Sequence, residues 1–259
     1  MQIEIDLNTS VDENAGTYFD LAKKAKRKIE GAKKAIEDSK KKLADLQGKE
    51  NSFLEEEKKR QAKKEIKREW YEKFHWFISS EGLLCIGGKD ATSNEIIIKK
   101  HLEPDDLVFH TELPGSPFFL IKGGQKCGEA TKEETAQATA VYSKSWKAKH
   151  TQGDVFYVLP EQVTKEAKSG EFIAKGAFMI YGKRNVMHPV VEMAMGLVEG
   201  KTIGGPVNAV KSQTDNFAVI IPGDLKKSDL AKRIKFKLKG GDLDDIVTFL
   251  PAGEGEVKK

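Results

Sequence analysis

Leu83-Leu84-Cys85-Ile86-Gly87-Gly88-Lys89-Asp90-Ala91-Thr92-Ser93-Asn94-Glu95-Ile96-Ile97-Ile98-Lys99-Lys100-His101-Leu102 is the stretch from which the fold is read. It begins as an apolar strand, turns on two glycines and continues as a helix. Asp90 or Thr92 can cap that helix, and Ile97, Ile98 and Leu102 lie near one of its faces. A glycine pair serves where the backbone takes an unusual φ/ψ or where something must come close to it. A phosphate on the free N–H groups of the helix start would use the same geometry. A plain strand-to-helix connection is the simpler reading.

Outward from this run, Phe74–Ile78 pairs with 83–86 across the turn-rich Ser79-Ser80-Glu81-Gly82, a β-hairpin pattern. Pro104-Asp105-Asp106 makes a turn, and strands are expected at Leu107–His110 and Phe118–Ile121. Thr131-Lys132-Glu133-Glu134 reads as a capping box opening a helix with Ala138, Val141, Tyr142, Ser145 and Trp146 on its inner face. Strands follow at Val155–Leu159 and Ala177–Ile180. Few helices beside many strands give an α+β domain over 75–185, a mixed β-sheet with packed helices.

Residues 186–259 read as an extension packed on that domain. They hold strands at Val190–Val198 and Phe217–Ile221 and a helix from Ser228 or Asp229. That helix turns Leu230, Ile234 and Leu238 inward and Lys227, Lys232, Arg233, Lys235, Lys237 and Lys239 outward, a second cationic surface. Asp242 caps a last helix, and Gly253–Lys259 is expected to be disordered.

Upstream, residues 1–74 carry the strongest periodicity in the chain. Ser10-Val11-Asp12-Glu13 is a capping box, and Tyr18, Ala22, Ala25, Ile29, Ala32, Ile36, Ser39, Leu43 and Leu46 then alternate steps of four and three. Gly48 is a candidate helix end, and Ser52-Phe53-Leu54-Glu55 is a second capping box. So short a connection predicts a long antiparallel helical hairpin, a coiled-coil arm. Its tip, with Lys41, Lys42, Lys49 and Phe53, is a candidate docking point.

The net charge is only +4, with 32% charged residues. Between Lys23 and Lys42, however, ten Lys/Arg face Glu30, Glu37 and Asp38, a local excess suited to a polyanion such as RNA. Cys85 and Cys127 have no metal-ligand spacing and fit a reducing cytoplasm. No apolar run is long enough for a membrane span, so no membrane partner is expected. His110, Glu112, Asp90 and Glu95 are the residue types of a metal or acid/base site, but no His or Cys spacing accompanies them. Neither a metal nor a cofactor is expected. Basic and aromatic residues interleave more tellingly. Tyr181-Gly182-Lys183-Arg184 follows a strand, Lys165, Lys168 and Lys175 precede it, and Lys144, Lys147 and Lys149 surround Trp146. Such mixtures suit a phosphate backbone with splayed bases.

Four blocks resemble the RNA-binding module of the NFACT family, which includes the RqcH-like factors. The first joins Trp70-Tyr71-Glu72-Lys73-Phe74-His75-Trp76-Phe77 to Gly87-Gly88-Lys89-Asp90-Ala91 and Asn94-Glu95. The second is His110-Thr111-Glu112 with Gly115-Ser116. The third runs from Ala140-Val141-Tyr142-Ser143 through Ser145-Trp146 to Ala148-Lys149. The fourth runs from Ser169-Gly170-Glu171-Phe172-Ile173 through Lys175-Gly176-Ala177-Phe178 to Tyr181-Gly182-Lys183-Arg184-Asn185. The arm is similar to the family's middle coiled coil, which reaches towards the stalk base of the large ribosomal subunit.

The resemblance implies a non-enzymatic factor of ribosome-associated quality control. Its partners would be tRNA and the large subunit, through rRNA and a stalk-base protein, and it would support untemplated C-terminal tailing in the cytoplasm. The expected RNA-binding residues are Lys183, Arg184, Lys175, Tyr181, Lys149, Lys89 and His110. The family's NFACT-N and helix-hairpin-helix modules have no counterpart in the sequence, which therefore reads as a C-terminal part. The alternatives are a protein-docking scaffold without RNA contact and a metal-dependent enzyme.

Overall fold

A computed structural model describes residues 3–64, 69–166 and 175–258, the side chains of 48–64 excepted. The chain divides into two units, Met1–Arg68 and Glu69–Lys259. Among the described residues no helix is both long and apolar enough to cross a membrane.

The first unit is helix α1, Val11–Lys64. Its start is the expected capping box: Glu13 N–H donates to Ser10 Oγ (3.2 Å), and Ser10 N–H donates to Glu13 Oε2 (2.9 Å). The long first limb of the arm is therefore as read, with Ile29, Ile36, Leu43 and Leu46 of its seam exposed. The described part of the arm holds no reversal. Helical backbone continues through Gly48 and Ser52, where the sequence places a turn. One glycine costs a helix only about 1 kcal/mol, and the strong helix formers around it outweigh that.

The second unit is α+β. Its first sheet holds β1 (His75–Ile78), β2 (Leu84–Gly87), β3 (Leu107–Thr111), β4 (Phe119–Ile121), β5 (Val155–Val158) and β8 (Asn185–Met187), in the order β1-β2-β4-β3-β5-β8. The small ladder between β5 and β8 pairs β6 (Val163–Thr164) with β7 (Met179–Ile180). A second sheet of order β10-β9-β11-β12 uses β9 (Met193–Val198), β10 (Lys201–Gly205), β11 (Phe217–Leu225) and β12 (Gly255–Val257). Every pairing among the described strands is antiparallel, where a mixed sheet was expected. Hairpin connections suffice for β1–β2 and β3–β4, and the helix after β2 leads to a strand that is not its neighbour. The C-terminal residues, expected to be disordered, instead pair as β12 on the edge of β11.

The helices are α2 (Ala91–Ile96), α3 (Glu129–Val141), α4 (Lys144–Lys147), α5 (Val207–Lys211), α6 (Lys227–Leu238) and α7 (Leu243–Phe249). Asp90 caps α2 by accepting from Ser93 N–H (2.7 Å), and α2 runs on into a π-helical turn, Ile97–His101. Helix α3 begins three residues earlier than the capping-box reading, at Glu129 with Gly128 as its N-cap, and Thr131 is buried inside it. Thr131 is drawn inward by Glu81, whose Oε2 accepts both its hydroxyl (2.5 Å) and its N–H (3.2 Å).

Two apolar clusters hold this unit together. One lies between the six-stranded sheet, α3 and the second sheet; it unites Phe77, Phe109, Phe119 and Trp146 with Met193, Ile220, Leu230 and Ile246. The other, on the opposite face, gathers Phe74, Ile97, Val108, Phe118 and Phe156. Residues 186–259 therefore share one core with the preceding domain.

The glycine pair is explained by packing. A Cβ on Gly87 would lie 2.3 Å from the Phe119 ring, and one on Gly88 would lie 1.9 Å from Asn94 Oδ1. The Asn94 side chain stitches α2 to the segment before β4, donating to Ser116 O (3.1 Å) and accepting from Phe118 N–H (3.0 Å). Gly88→Ala should therefore displace that amide and cost about 2–3 kcal/mol, read as a lowered melting temperature.

His75 stacks on Tyr142 with ring centroids 3.7 Å apart, and the Tyr142 hydroxyl donates to Phe249 O (2.8 Å). Burial, with Lys89 and Lys227 adding to it, presses the His75 pKa from 6.5 down to about 3. The unfolded chain thus binds a proton that the folded chain refuses. The stability from this group is complete above pH 6.5 and is lost as pH falls towards 3. His75→Phe keeps the stack and should flatten this part of the pH profile by roughly 1 kcal/mol per pH unit, measured as the difference between the two proteins in urea melts from pH 6.5 to 4.5.

Candidate nucleic-acid interface

Beside the second apolar cluster, aromatic rings and cations form a continuous strip. His110 on β3 lies flat against Phe118, centroids 3.9 Å apart and planes 1° from parallel. Its Nδ1 is 2.9 Å from Pro117 O; a carbonyl only accepts, so Nδ1 carries the proton and Nε2 is left as an acceptor. Burial holds the His110 pKa below the usual histidine range. Phe156 meets His110 edge-on at 6.2 Å, and the Arg184 guanidinium sits 4.8 Å over the Phe156 ring while pairing with Glu112. On the other side Phe178 meets Phe118 edge-on at 5.5 Å, with Lys165 Nζ 4.8 Å over the Phe178 ring and 3.4 Å from Glu95.

The loop that supplies Arg184 is held by one glutamine. Gln162 Nε2 donates to Tyr181 O (2.7 Å) and Lys183 O (3.0 Å), and Tyr181 N–H returns a bond to Gln162 O (3.0 Å). Gly182, at φ +85°, makes the turn, and a Cβ there would be strained and 2.8 Å from that same amide. Lys183 is left exposed at the tip. Gly176 packs against the start of α2, where a Cβ would fall 2.5 Å from Ala91 backbone, and Lys175 beside it is exposed. Lys89 is exposed immediately before the same helix.

The structure thus gathers Lys89, His110, Lys175, Tyr181, Lys183 and Arg184 on neighbouring elements. Lys149 is elsewhere: it takes a left-handed φ of 57°, and its ammonium pairs with Asp224 of β11. In the arm, Lys42 is exposed and Lys41 pairs with Glu37 at 3.4 Å, whereas the Lys49 and Phe53 side chains lie outside the described residues, as do Lys168 and Ser169–Phe172. Two contributors escape a reading by residue type. Gln162 acts through backbone partners and carries no motif, and Phe236 is 87% exposed on the outer face of α6 among Arg233, Lys235 and Lys237. A helical wheel does find Phe236, two positions off the Leu230–Ile234–Leu238 stripe.

The four residues considered for metal or acid/base chemistry have separate partners. Asp90 caps α2, Glu95 pairs with Lys99 at 2.6 Å, Glu112 pairs with Arg184, and His110 is turned to Pro117. Among the described residues the one close acidic group is Glu103, Asp105 and Asp106. Its buried member, Asp106, already accepts from Lys122 Nζ (2.6 Å), Gly123 N–H (2.9 Å) and Glu103 N–H (2.8 Å).

Residues 73–182, which carry nearly all of this strip, match the NFACT protein RNA binding domain. The whole chain is 38% identical over 268 residues to the archaeal Rqc2 homolog aRqcH of Methanocaldococcus jannaschii, of which it spans 40%. The chain belongs to the NFACT family. Other NFACT relatives are the ribosome quality control complex subunit NEMF homolog of Drosophila melanogaster and the subunit NEMF of Homo sapiens, each 36% identical. These similarities cover 75% and 68% of this chain, and 20% and 16% of the relatives. The chain therefore spans less than half the length of the relatives it matches.

Proposed function

We propose that this chain is the RNA- and ribosome-binding part of an RqcH-like factor. It grips large ribosomal subunits that still carry tRNA and supports template-independent C-terminal tailing. The reading rests on one observation: the segment matching the RNA-binding domain carries Lys175 and a run of ring faces and edges, and Lys183 and Arg184 follow directly after its last matched residue. Cations serve the phosphates, the buried Phe118 and Phe156 order the strip, and the half-buried His110, Phe178 and Tyr181 are its stacking surface. The peptide bond is left to the ribosome, so the chain acts as a positioning factor. The basic arm adds a docking element for rRNA or a stalk-base protein.

Binding of the chain to a labelled tRNA should weaken steeply between 50 and 200 mM salt, as counterions are released from roughly six or more neutralised phosphates. Equal affinity at both salts would overturn the reading. The outer face of α6 is a second, separate cationic surface, and Phe236→Ala should cost about five- to tenfold in tRNA affinity if a base stacks there. So exposed a ring leaves the melting temperature unchanged, which separates lost contact from lost fold.

A further inference from the structure

The six-stranded sheet ends on β8, and the register there shows what faces outward. Gly153 N–H donates to Pro189 O (3.0 Å) and Val191 N–H to Thr151 O (2.9 Å), in line with the pairs Val155↔Met187, Phe156↔Val186 and Tyr157↔Asn185. In an antiparallel ladder the backbone groups alternate between the neighbouring strand and the open side. Residues 185, 187, 189 and 191 turn to β5, so the N–H and C=O of Val186 and His188 point away from the sheet. Among the described residues these groups have no backbone partner. Val186 is 61% exposed and Val190 48% exposed, unusual for an edge that proteins blunt with lysine or proline.

Next to this edge runs a cleft of about 510 Å³. Its walls are Met187, Pro189 and Val190 on one side and Glu133 and Glu134 of α3 on the other, with Glu192 at one end. Glu134 is only 3% exposed. Its Oε2 accepts from Ser80 N–H (2.9 Å), but among the described residues Oε1 has no hydrogen-bond partner and no cation pairs with it. Glu192 is met by Lys258 at 2.6 Å, which leaves the Glu133–Glu134 side negative. A free strand edge supplies backbone bonds, Val186 and Val190 on either side of His188 supply apolar contact, and an uncompensated carboxylate favours an added strand of opposite charge.

We infer that the open edge of β8 and its cleft receive an extended basic segment of a partner protein as a seventh strand. Backbone bonds to Val186 and His188 supply the grip, apolar side chains of the segment cover Val186 and Val190, and a lysine or arginine reaches Glu133 and Glu134. A nucleic acid is disfavoured, because its phosphates would face those carboxylates. The assignment concerns the outer edge of β8 and the cleft it forms with α3, which the cations of the strip do not line, and it stands whether or not the strip binds RNA.

The test uses the full chain and fluorescein-labelled octapeptides alternating lysine with valine, glutamate with valine, or lysine with valine N-methylated at every second amide. The lysine–valine peptide should bind at least about tenfold more tightly than either of the others, and hydrogen exchange at the Val186 and His188 amides should slow by about tenfold when it is added. Val186→Pro removes an outward N–H without touching a bond to β5, so it should keep the melting temperature while weakening the peptide by about tenfold. Glu133→Gln with Glu134→Gln should erase the preference for lysine over glutamate. Two results would each overturn the inference: equal binding of the three peptides, or slow exchange at Val186 and His188 in the free chain.

Discussion

Trp146→Ala should lower the stability of the Glu69–Lys259 unit by about 3–5 kcal/mol, the largest loss expected from any single truncation in its core. Trp146 is 1% exposed and is the largest side chain fully enclosed in the structure. It sits on α4, a single turn started by Ser143, whose Oγ accepts from Ser145 N–H (3.1 Å). The indole is packed by Gly253 and Gly255, where added Cβ atoms would come within 3.2 and 3.1 Å of the ring. Its Nε1–H donates to Glu254 O (2.8 Å), so one residue joins α4 to the approach to β12. Alanine removes the packing and leaves that carbonyl unpaired. Trp146→Phe keeps most of the volume and should cost nearer 1 kcal/mol, the share of the hydrogen bond. Urea denaturation followed by circular dichroism measures both, and equal losses would mean that packing around the ring is dispensable.

The second large effect is on binding. Replacing Lys175, Lys183 and Arg184 together with glutamine should weaken tRNA binding about 100-fold at low salt and flatten its salt dependence by roughly 2 to 3 in log–log slope. Each removed cation is a phosphate contact that no longer releases counterions. Lys175 and Lys183 are exposed, so their loss should leave the fold intact. Arg184 also lies over Phe156 and pairs with Glu112, so a melting curve must accompany the titration. Lys149→Gln is the control, since that ammonium is held by Asp224 away from the strip; an effect as large as that of the triple variant would remove the strip from the RNA surface.

Where local chemistry fixes local structure, the sequence was readable. Asp90 with Ser93, Ser10 with Glu13 and Asp242 with the start of α7 are caps that the chain spells out, and Leu230, Ile234 and Leu238 face inward as their spacing predicts. β1 to β5, β7, β9 and β11 also followed from apolar runs, whereas β6, β8, β10 and β12 were not read. What could not be read is what depends on distant partners. Thr131 resembles a cap until Glu81, fifty residues away, is seen to claim it. The Gly87-Gly88 pair offers itself to a phosphate until Phe119 and Asn94 fill the space. The helix through Gly48 shows the opposite limit, with a local stop signal outvoted by its neighbours. Of the candidate site, the residue types Lys and Arg were legible. Their grouping was not, because Gln162, Phe156 and Phe118 assemble it through contacts across the sheet.

The placement of β12 carries a consequence for biosynthesis. Residues 255–257 complete the second sheet, and Glu254 secures the indole of a residue made 108 positions earlier. A nascent chain can form the early hairpins as they emerge, yet it cannot close this unit until position 257 has cleared the exit tunnel. Until then one edge of β11 and the Trp146 pocket stay open to whatever lies near the tunnel mouth. Maturation of the unit is therefore a late event in its own translation, and a stall before that point would leave an unfinished product.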